Sequence, residues 1–286
     1  MKRIVLPLLV TALLFGAASQ SRATTMYGGV GSGSPLNPGG LLIVDQNNGA
    51  GLLVGDPVTP GGLSGIAFDS GGALFGSTIE RGSISSLARI NPDTGALIGA
   101  LLPILVAGEV RLSIGDLAFQ PGTDVLFGIR SNTDGDLGGE LYTIDTGTGF
   151  ATFVGNTGAG AGGGIAFAPD GTLYQSAYND DGDFFSLNTL DPNDASRIGT
   201  VPINLYLDGL AVRPTDGVLF ATRGAFDEVY ALDPVTGALT LLGSSGAGKI
   251  SDLAFRPQEA SEPVTLLLLA LGTGGLVSAH RRRRAG

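Results

Sequence analysis

Gly65-Ile66-Ala67-Phe68 is the stretch that decides the fold, because it returns as Asp116-Leu117-Ala118-Phe119, Gly164-Ile165-Ala166-Phe167, Gly209-Leu210-Ala211-Val212 and Asp252-Leu253-Ala254-Phe255. Successive copies are 51, 48, 45 and 43 residues apart. After each of the first four copies, a Gly, Pro or Asp turn leads to a second apolar stretch: Ala73-Leu74-Phe75-Gly76, Val125-Leu126-Phe127-Gly128, Thr172-Leu173-Tyr174 and Val218-Leu219-Phe220-Ala221. A longer, variable loop follows. Then a third stretch ends in a tight turn, as in Ile90-Asn91-Pro92-Asp93-Thr94-Gly95, Ile144-Asp145-Thr146-Gly147, Leu190-Asp191-Pro192 and Leu232-Asp233-Pro234-Val235-Thr236-Gly237. An aliphatic residue followed by glycine closes each unit: Ile98-Gly99, Val154-Gly155, Ile198-Gly199 and Leu242-Gly243.

Four short strands per unit at a period of roughly 40–50 residues are the pattern of a β-propeller blade. The ends of the repeat complete each other. Met26-Tyr27-Gly28-Gly29, Leu42-Ile43-Val44-Asp45 and Leu53-Val54-Gly55 supply strands two to four without a first, and Asp252 to Phe255 is a first strand without a blade. Pairing the two would close the ring and leave no long open edge. The expected fold is all-β, a propeller of five four-stranded blades, or six if residues 100–113 contain further strands. Its short turns lie between strands one and two and between three and four, where Gly supplies the positive φ of tight hairpins. Variable loops lie on the opposite face, so a binding site is expected there.

Composition narrows the function classes. The 286 residues contain no cysteine, which rules out disulfides and thiolate chemistry, and the only histidine is His280. A Ser-His-Asp or imidazole-metal centre in the repeat is thereby excluded. At the N-terminus, Lys2-Arg3, an apolar run over residues 4–18 and Ser21-Arg22-Ala23 have the order of a secretory signal peptide, residues 1–23, with cleavage expected after Ala23 and passage through the Sec translocon. The C-terminus, residues 259–286, carries Ser261-Glu262-Pro263, a nearly charge-free apolar run over 264–279, and Arg281, Arg282, Arg283 and Arg284. As a helix the run would reach about 24 Å, against roughly 30 Å of bilayer hydrocarbon, and the arginines would hold the far end in the cytoplasm. Between the signals, residues 24–258 keep nine basic residues against 24 acidic ones, a net charge near −15. Such a body repels nucleic acid.

The C-terminal order of motif, apolar helix and arginine cluster resembles the PEP-CTERM sorting domain of Gram-negative bacteria. Glu262 and Pro263 match that family's tripeptide, and Ser261 stands where its first proline would be. The resemblance covers about 25 of the 286 residues. It implies recognition by the membrane protease exosortase, membrane anchoring before processing, and a place on the cell surface or in an exopolysaccharide-containing matrix afterwards. The repeat itself is similar to generic extracellular propellers carrying Leu-Ala-Phe and Asp-x-x-Thr-Gly elements, which implies a scaffold and not an activity.

Candidate site residues fall in two groups. Asn132, Asp134, Asp136 and Glu140 in one variable loop, and Asn179, Asp181 and Asp183 in another, alternate oxygen donors around a glycine, as calcium loops do. Solvated turns use the same residues. Asp116 and Asp252 begin first strands and Asp208 lies one residue before another, so the three are expected to converge at the channel mouth or to accept backbone N–H bonds near it. The expected role is a non-catalytic surface or matrix protein without a cofactor, binding protein or polysaccharide on its loop face. The alternative is a calcium-dependent hydrolase or lyase using those aspartates.

Overall fold

The computed structural model describes residues 24–80, 84–107, 110–131, 139–160, 162–179 and 184–258. The expected signal peptide with Ala23 and the expected sorting tail with Ser261, Glu262, Pro263, the 264–279 run and Arg281 to Arg284 lie outside the described residues; among the described residues no helix is long and apolar enough to cross a membrane. The protein is a five-bladed β-propeller. Blade 1 is Leu63–Phe68, Leu74–Glu80, Ile84–Ile90 and Leu102–Pro103; blade 2 is Ile114–Phe119, Leu126–Arg130, Glu140–Ile144 and Ala151–Asn156. Gly162–Phe167, Leu173–Asn179, Phe184–Leu190 and Arg197–Ile203 form blade 3, and Gly209–Val212, Leu219–Arg223, Glu228–Leu232 and Leu239–Ser244 form blade 4. In blade 5 the innermost strand, Ile250–Phe255, comes from the C-terminal side, and Met26–Val30, Leu41–Val44 and Gly51–Val54 come from the N-terminal side. The closing register pairs Met26 with Phe255, Tyr27 with Ala254 and Gly28 with Leu253.

Residues 100–113 hold no sixth blade. Their first strand is the outer strand of blade 1, and Leu105–Val106 pairs with Val110–Arg111 as a two-stranded ribbon. The ribbon buries Ile104 and Leu112 between blades 1 and 2, with Ile104 N–H donating to Ser85 O at 3.1 Å and Ser85 N–H to Leu112 O at 2.9 Å. The fourth strand of blade 1 also lies later than Ile98-Gly99. Leu97 makes one bridge with Ile90, Gly99 then turns to φ +78°, and pairing resumes at Leu102.

Each core lies between two blades. Five apolar clusters fill the five interfaces, one per pair of neighbours, because a blade's two faces both carry apolar side chains and each must be covered. An aromatic on strand two meets the last residue of the next blade's innermost strand: Tyr27 on Phe68 at 5.2 Å, Phe75 on Phe119 at 5.6 Å, Phe127 on Phe167 at 5.3 Å and Phe220 on Phe255 at 5.4 Å. Tilted pairs at this spacing stabilise beyond their buried area. Between blades 3 and 4, Val212 takes the second place and packs in one cluster with Tyr174.

At the centre the innermost strands approach backbone to backbone. A Cβ on Gly65 would come within 2.6 Å of Asp116 Cα, and one on Gly209 within 2.4 Å of Asp252 Cα. Gly209→Ala should therefore cost about 2–3 kcal/mol, the upper part of the overpacking range, by urea denaturation of the purified protein. Gly199→Ala on an outer strand, whose Cβ would find its nearest neighbour at 3.8 Å, should change stability by less than about 1 kcal/mol. Equal losses for the two would contradict the tight central ring.

Candidate functional site

Read in register, the five innermost strands place Gly65, Asp116, Gly164, Gly209 and Asp252 at one level around the axis. The innermost edge of each blade has no strand beyond it, so its backbone N–H groups need other partners. Two aspartates supply them. Leu117 N–H donates to Asp116 Oδ1 at 2.7 Å, and Ile165 N–H, one blade on, donates to Asp116 Oδ2 at 2.7 Å. Ile66 N–H donates to Asp252 Oδ2 at 2.7 Å, and the N–H groups of Leu210 and Leu253 also act on that carboxylate. One N–H from each of the five strands thus falls to two carboxyl groups, both wholly buried.

The three glycine positions use a different device. Gly65 N–H donates to Ser77 Oγ at 3.0 Å, Gly164 N–H to Ser176 Oγ at 2.8 Å and Gly209 N–H to Thr222 Oγ1 at 3.0 Å, each hydroxyl standing on the second strand of the same blade. Where the ring residue is aspartate, the second strand carries Ile129 or Gly29 instead. The hydroxyls also tie blades together: Ser64 Oγ donates to Ile114 O at 2.7 Å, Ser176 Oγ to Leu207 O at 3.0 Å, Thr222 Oγ1 to Ser251 O at 3.1 Å and Ser251 Oγ to Leu63 O at 2.5 Å.

Burial raises both ring carboxyls, that of Asp252 to about 7, and the neighbouring Asp252 charge pushes Asp116 up further. Burial and the neighbouring charge both favour the protonated form of Asp116, which could then donate to Asp252, whose Oδ1 is buried with no hydrogen-bond partner among the described residues. The pair is a seal at the axis. Asp116 and Asp252 do converge, but beneath the mouth and with no exposed surface.

A depression opens on either side of this seal. On the hairpin-turn face, a cavity of about 340 Å³ is walled by Phe68, Phe119, Phe167 and Phe255 and rimmed by Pro121 and Pro169. On the variable-loop face, one of about 300 Å³ is polar, with Ser64, Tyr206, Asp208, Lys249 and Ser251 around glycine backbone at 115 and 163. Asp208 stands here and not with the ring pair. Its Oδ2 accepts Gly224 N–H at 2.6 Å. Burial raises its pKa, while that N–H, Arg223 and Lys249 oppose the rise. Tyr206 is pushed up to about 12 by burial and by the Asp208 charge. Its ring stands edge-on to Phe185 at 5.9 Å, and Phe185 meets Tyr178 at 5.5 Å, an aromatic wall beside the polar mouth.

Of the proposed calcium loops, Asn132, Asp134, Asp136, Asp181 and Asp183 lie outside the described residues. Glu140 Oε2 is held by Arg130 Nη1 and by Tyr142 Oη, both at 2.8 Å. Blade 4 repeats this triad as Arg223, Glu228 and Tyr230. Asn179 is buried against Ser186 Oγ and Arg197 Nη1. Among the described residues no three carboxylate or imidazole side chains gather in a way that could hold a metal ion. Tyr206 and Lys249 were not among the expected site residues; each sits in a connection to the next blade, and only ring closure brings them together.

No protein-family model matches the sequence, and no curated protein sequence does. Solved structures do match in shape. A chain of a nidogen/laminin complex aligns over 83% of this protein and all of its own length, at 13% identity and TM-score 0.53. A Bacteroides caccae protein of unknown function aligns over the same two shares at 12% identity and TM-score 0.50. The PQQ-bound aldose sugar dehydrogenase of Streptomyces coelicolor aligns over 77% of this chain and 79% of its own, at 16% identity and TM-score 0.46. At such identities the likeness shows the fold alone.

The ring pair makes stability depend on pH with a definite sign. A carboxyl raised in the folded state contributes most below the unfolded pKa, about 3.9, and loses that contribution as pH rises through its folded value, about 7 for Asp252. Asp116→Asn keeps a donor to Asp252 and does not ionise. The stability advantage of the native protein over this variant should shrink as pH rises from about 4 through about 7, the folded value of its partner Asp252. Asp116→Ala leaves two N–H groups without an acceptor and should cost about 1–3 kcal/mol for each. Chemical denaturation across that pH range checks both, and a pH-independent difference between native and Asn forms would contradict the shared proton.

Proposed function

We propose that this propeller is an exported, non-catalytic cell-surface or extracellular-matrix protein that binds polysaccharide or protein on its variable-loop face. The Sec translocon would carry it through the inner membrane, with signal cleavage after Ala23. Exosortase would then act at Ser261-Glu262-Pro263, releasing the body from the 264–279 helix and the cluster Arg281 to Arg284.

The observation that carries this reading is where the two ends of the propeller meet. Arg256 N–H donates to Thr25 O at 3.0 Å, so the segments carrying both signals join the ring side by side. They join it on the hairpin-turn face, beside Phe255 and Pro257 at the apolar mouth. A body tethered there would turn its polar mouth and variable loops away from the membrane. The non-catalytic part of the reading is supported by the ring pair: Asp116 and Asp252 spend their oxygens on backbone N–H groups and on each other, and neither reaches a surface.

Intact mass spectrometry of the protein isolated from its own host tests this directly. The expected product begins at Thr24 and ends near Glu262-Pro263, and in a strain lacking exosortase the C-terminal cut disappears. A full tail found in the membrane fraction of the normal strain would overturn the sorting reading.

A further inference from the structure

We propose that the polar mouth is a sugar-binding site that takes one or two neutral sugar units by a vicinal diol, clamped between Asp208 and Lys249 and set against Tyr206. The inference rests on the reading that the variable-loop face is the binding face, and it adds the chemistry of the ligand. Its basis is unused hydrogen-bonding capacity. Asp208 commits only Oδ2, to Gly224 N–H, and Oδ1 has no partner among the described residues. Lys249 is near enough to lower the Asp208 pKa, yet among the described residues no ion pair joins them. The Tyr206 hydroxyl likewise has no hydrogen-bond partner among the described residues, and the residue is half-buried where it lines the cavity.

A carboxylate and an ammonium that share a small cavity without closing on each other leave a gap that a ligand can bridge. The bridging group must donate to Asp208 and accept from Lys249 through neighbouring atoms. A vicinal diol does both while remaining uncharged. A polyanion would face Asp208 and a body of net charge near −15. The lining adds hydroxyl oxygens: Ser64 and Ser251 donate to backbone carbonyls and keep lone pairs with which to accept. Gly115 and Gly163 line the cavity with backbone and no side chain. The ring of Tyr206, which lines the cavity and is backed by Phe185, offers apolar surface to a sugar's C–H face. At about 300 Å³ the cavity is at the small end of ligand sites, which run to roughly 1,000 Å³, so it suits a chain end or a side branch.

The full protein purified from its host can be titrated with the methyl glycosides of glucose, galactose and mannose, with glycine as a zwitterionic probe, using calorimetry and saturation-transfer NMR. At least one glycoside is expected to bind with a dissociation constant of about 1 mM or tighter. Asp208→Asn and Lys249→Met should each weaken it about tenfold or more while circular dichroism shows the fold kept, and the 2-deoxy form of the bound glycoside should lose affinity to a similar degree. Tyr206→Phe, which keeps the ring, should cost only a few-fold. The proposal is overturned if no glycoside binds, if both clamp variants bind as the native protein does, or if glycine binds in preference. Export and binding fail separately: a correctly cut protein that ignores glycosides sinks only this assignment, and an uncut protein that binds them sinks only the sorting reading.

Discussion

Five strand edges meet at the axis of this protein, each with a backbone N–H that water does not reach, and the ring exists because two carboxyl groups satisfy all five. An unsatisfied buried N–H costs about 1–3 kcal/mol, so leaving the set unpaired would consume much of the stability a domain of this size has. Burying two carboxylates 100% out of water would be no better, since like charges in a low dielectric repel strongly. Retaining one proton resolves both costs. With Asp116 as a donor to Asp252 the pair carries one charge instead of two, and the charge left on Asp252 faces N–H donors of blades 1, 4 and 5, while blades 2 and 3 donate to Asp116.

The geometry of that seal fixes what the remaining ring positions can be. Side chains from two strands fill the axis, so the other three strands must be glycine where they pass it, as the contacts at Gly65 and Gly209 show. A glycine N–H then needs its own acceptor, and Ser77, Ser176 and Thr222 provide it from the second strand. Aspartate with an apolar or glycine partner, and glycine with a hydroxyl partner, are two solutions to one constraint. Outside the ring, the five interblade clusters and the aromatic pairs follow from blades held at a fixed angular spacing.

Much of this was legible in the chain. The recurrence of Gly65-Ile66-Ala67-Phe68 and its relatives marked the innermost strands, and the unmatched strands at Met26 and Asp252 marked the closure, because apolar spacing and turn residues are local signals. The outer strand of blade 1 was misplaced at Ile98-Gly99, because a left-handed glycine interrupts pairing without altering the apolar pattern that follows. The aspartates stood out by position, yet their depth did not, since depth depends on how closely five strands approach. Aligning the second strands in register would have exposed the match between ring glycines and hydroxyls. Tyr206 and Lys249 carry no repeat signal; they occupy connecting segments whose lengths differ from blade to blade.

Asp208 shows why two carboxylates seal the ring while a third remains available. It stands one residue before the ring position, about 3.3 Å along the strand toward the loop face, where the converging edges have begun to diverge. One N–H, from Gly224, reaches it there instead of two or three. Burial still makes its charge costly, and Arg223 and Lys249 offset that cost through space without occupying its second oxygen. The number of backbone donors a carboxylate meets thus separates structural from available acid in this fold. At the ring, supply matches demand and the aspartates are locked; one step outward, an oxygen, an ammonium and a phenol are left facing the same cavity, and that surplus is what a ligand would meet.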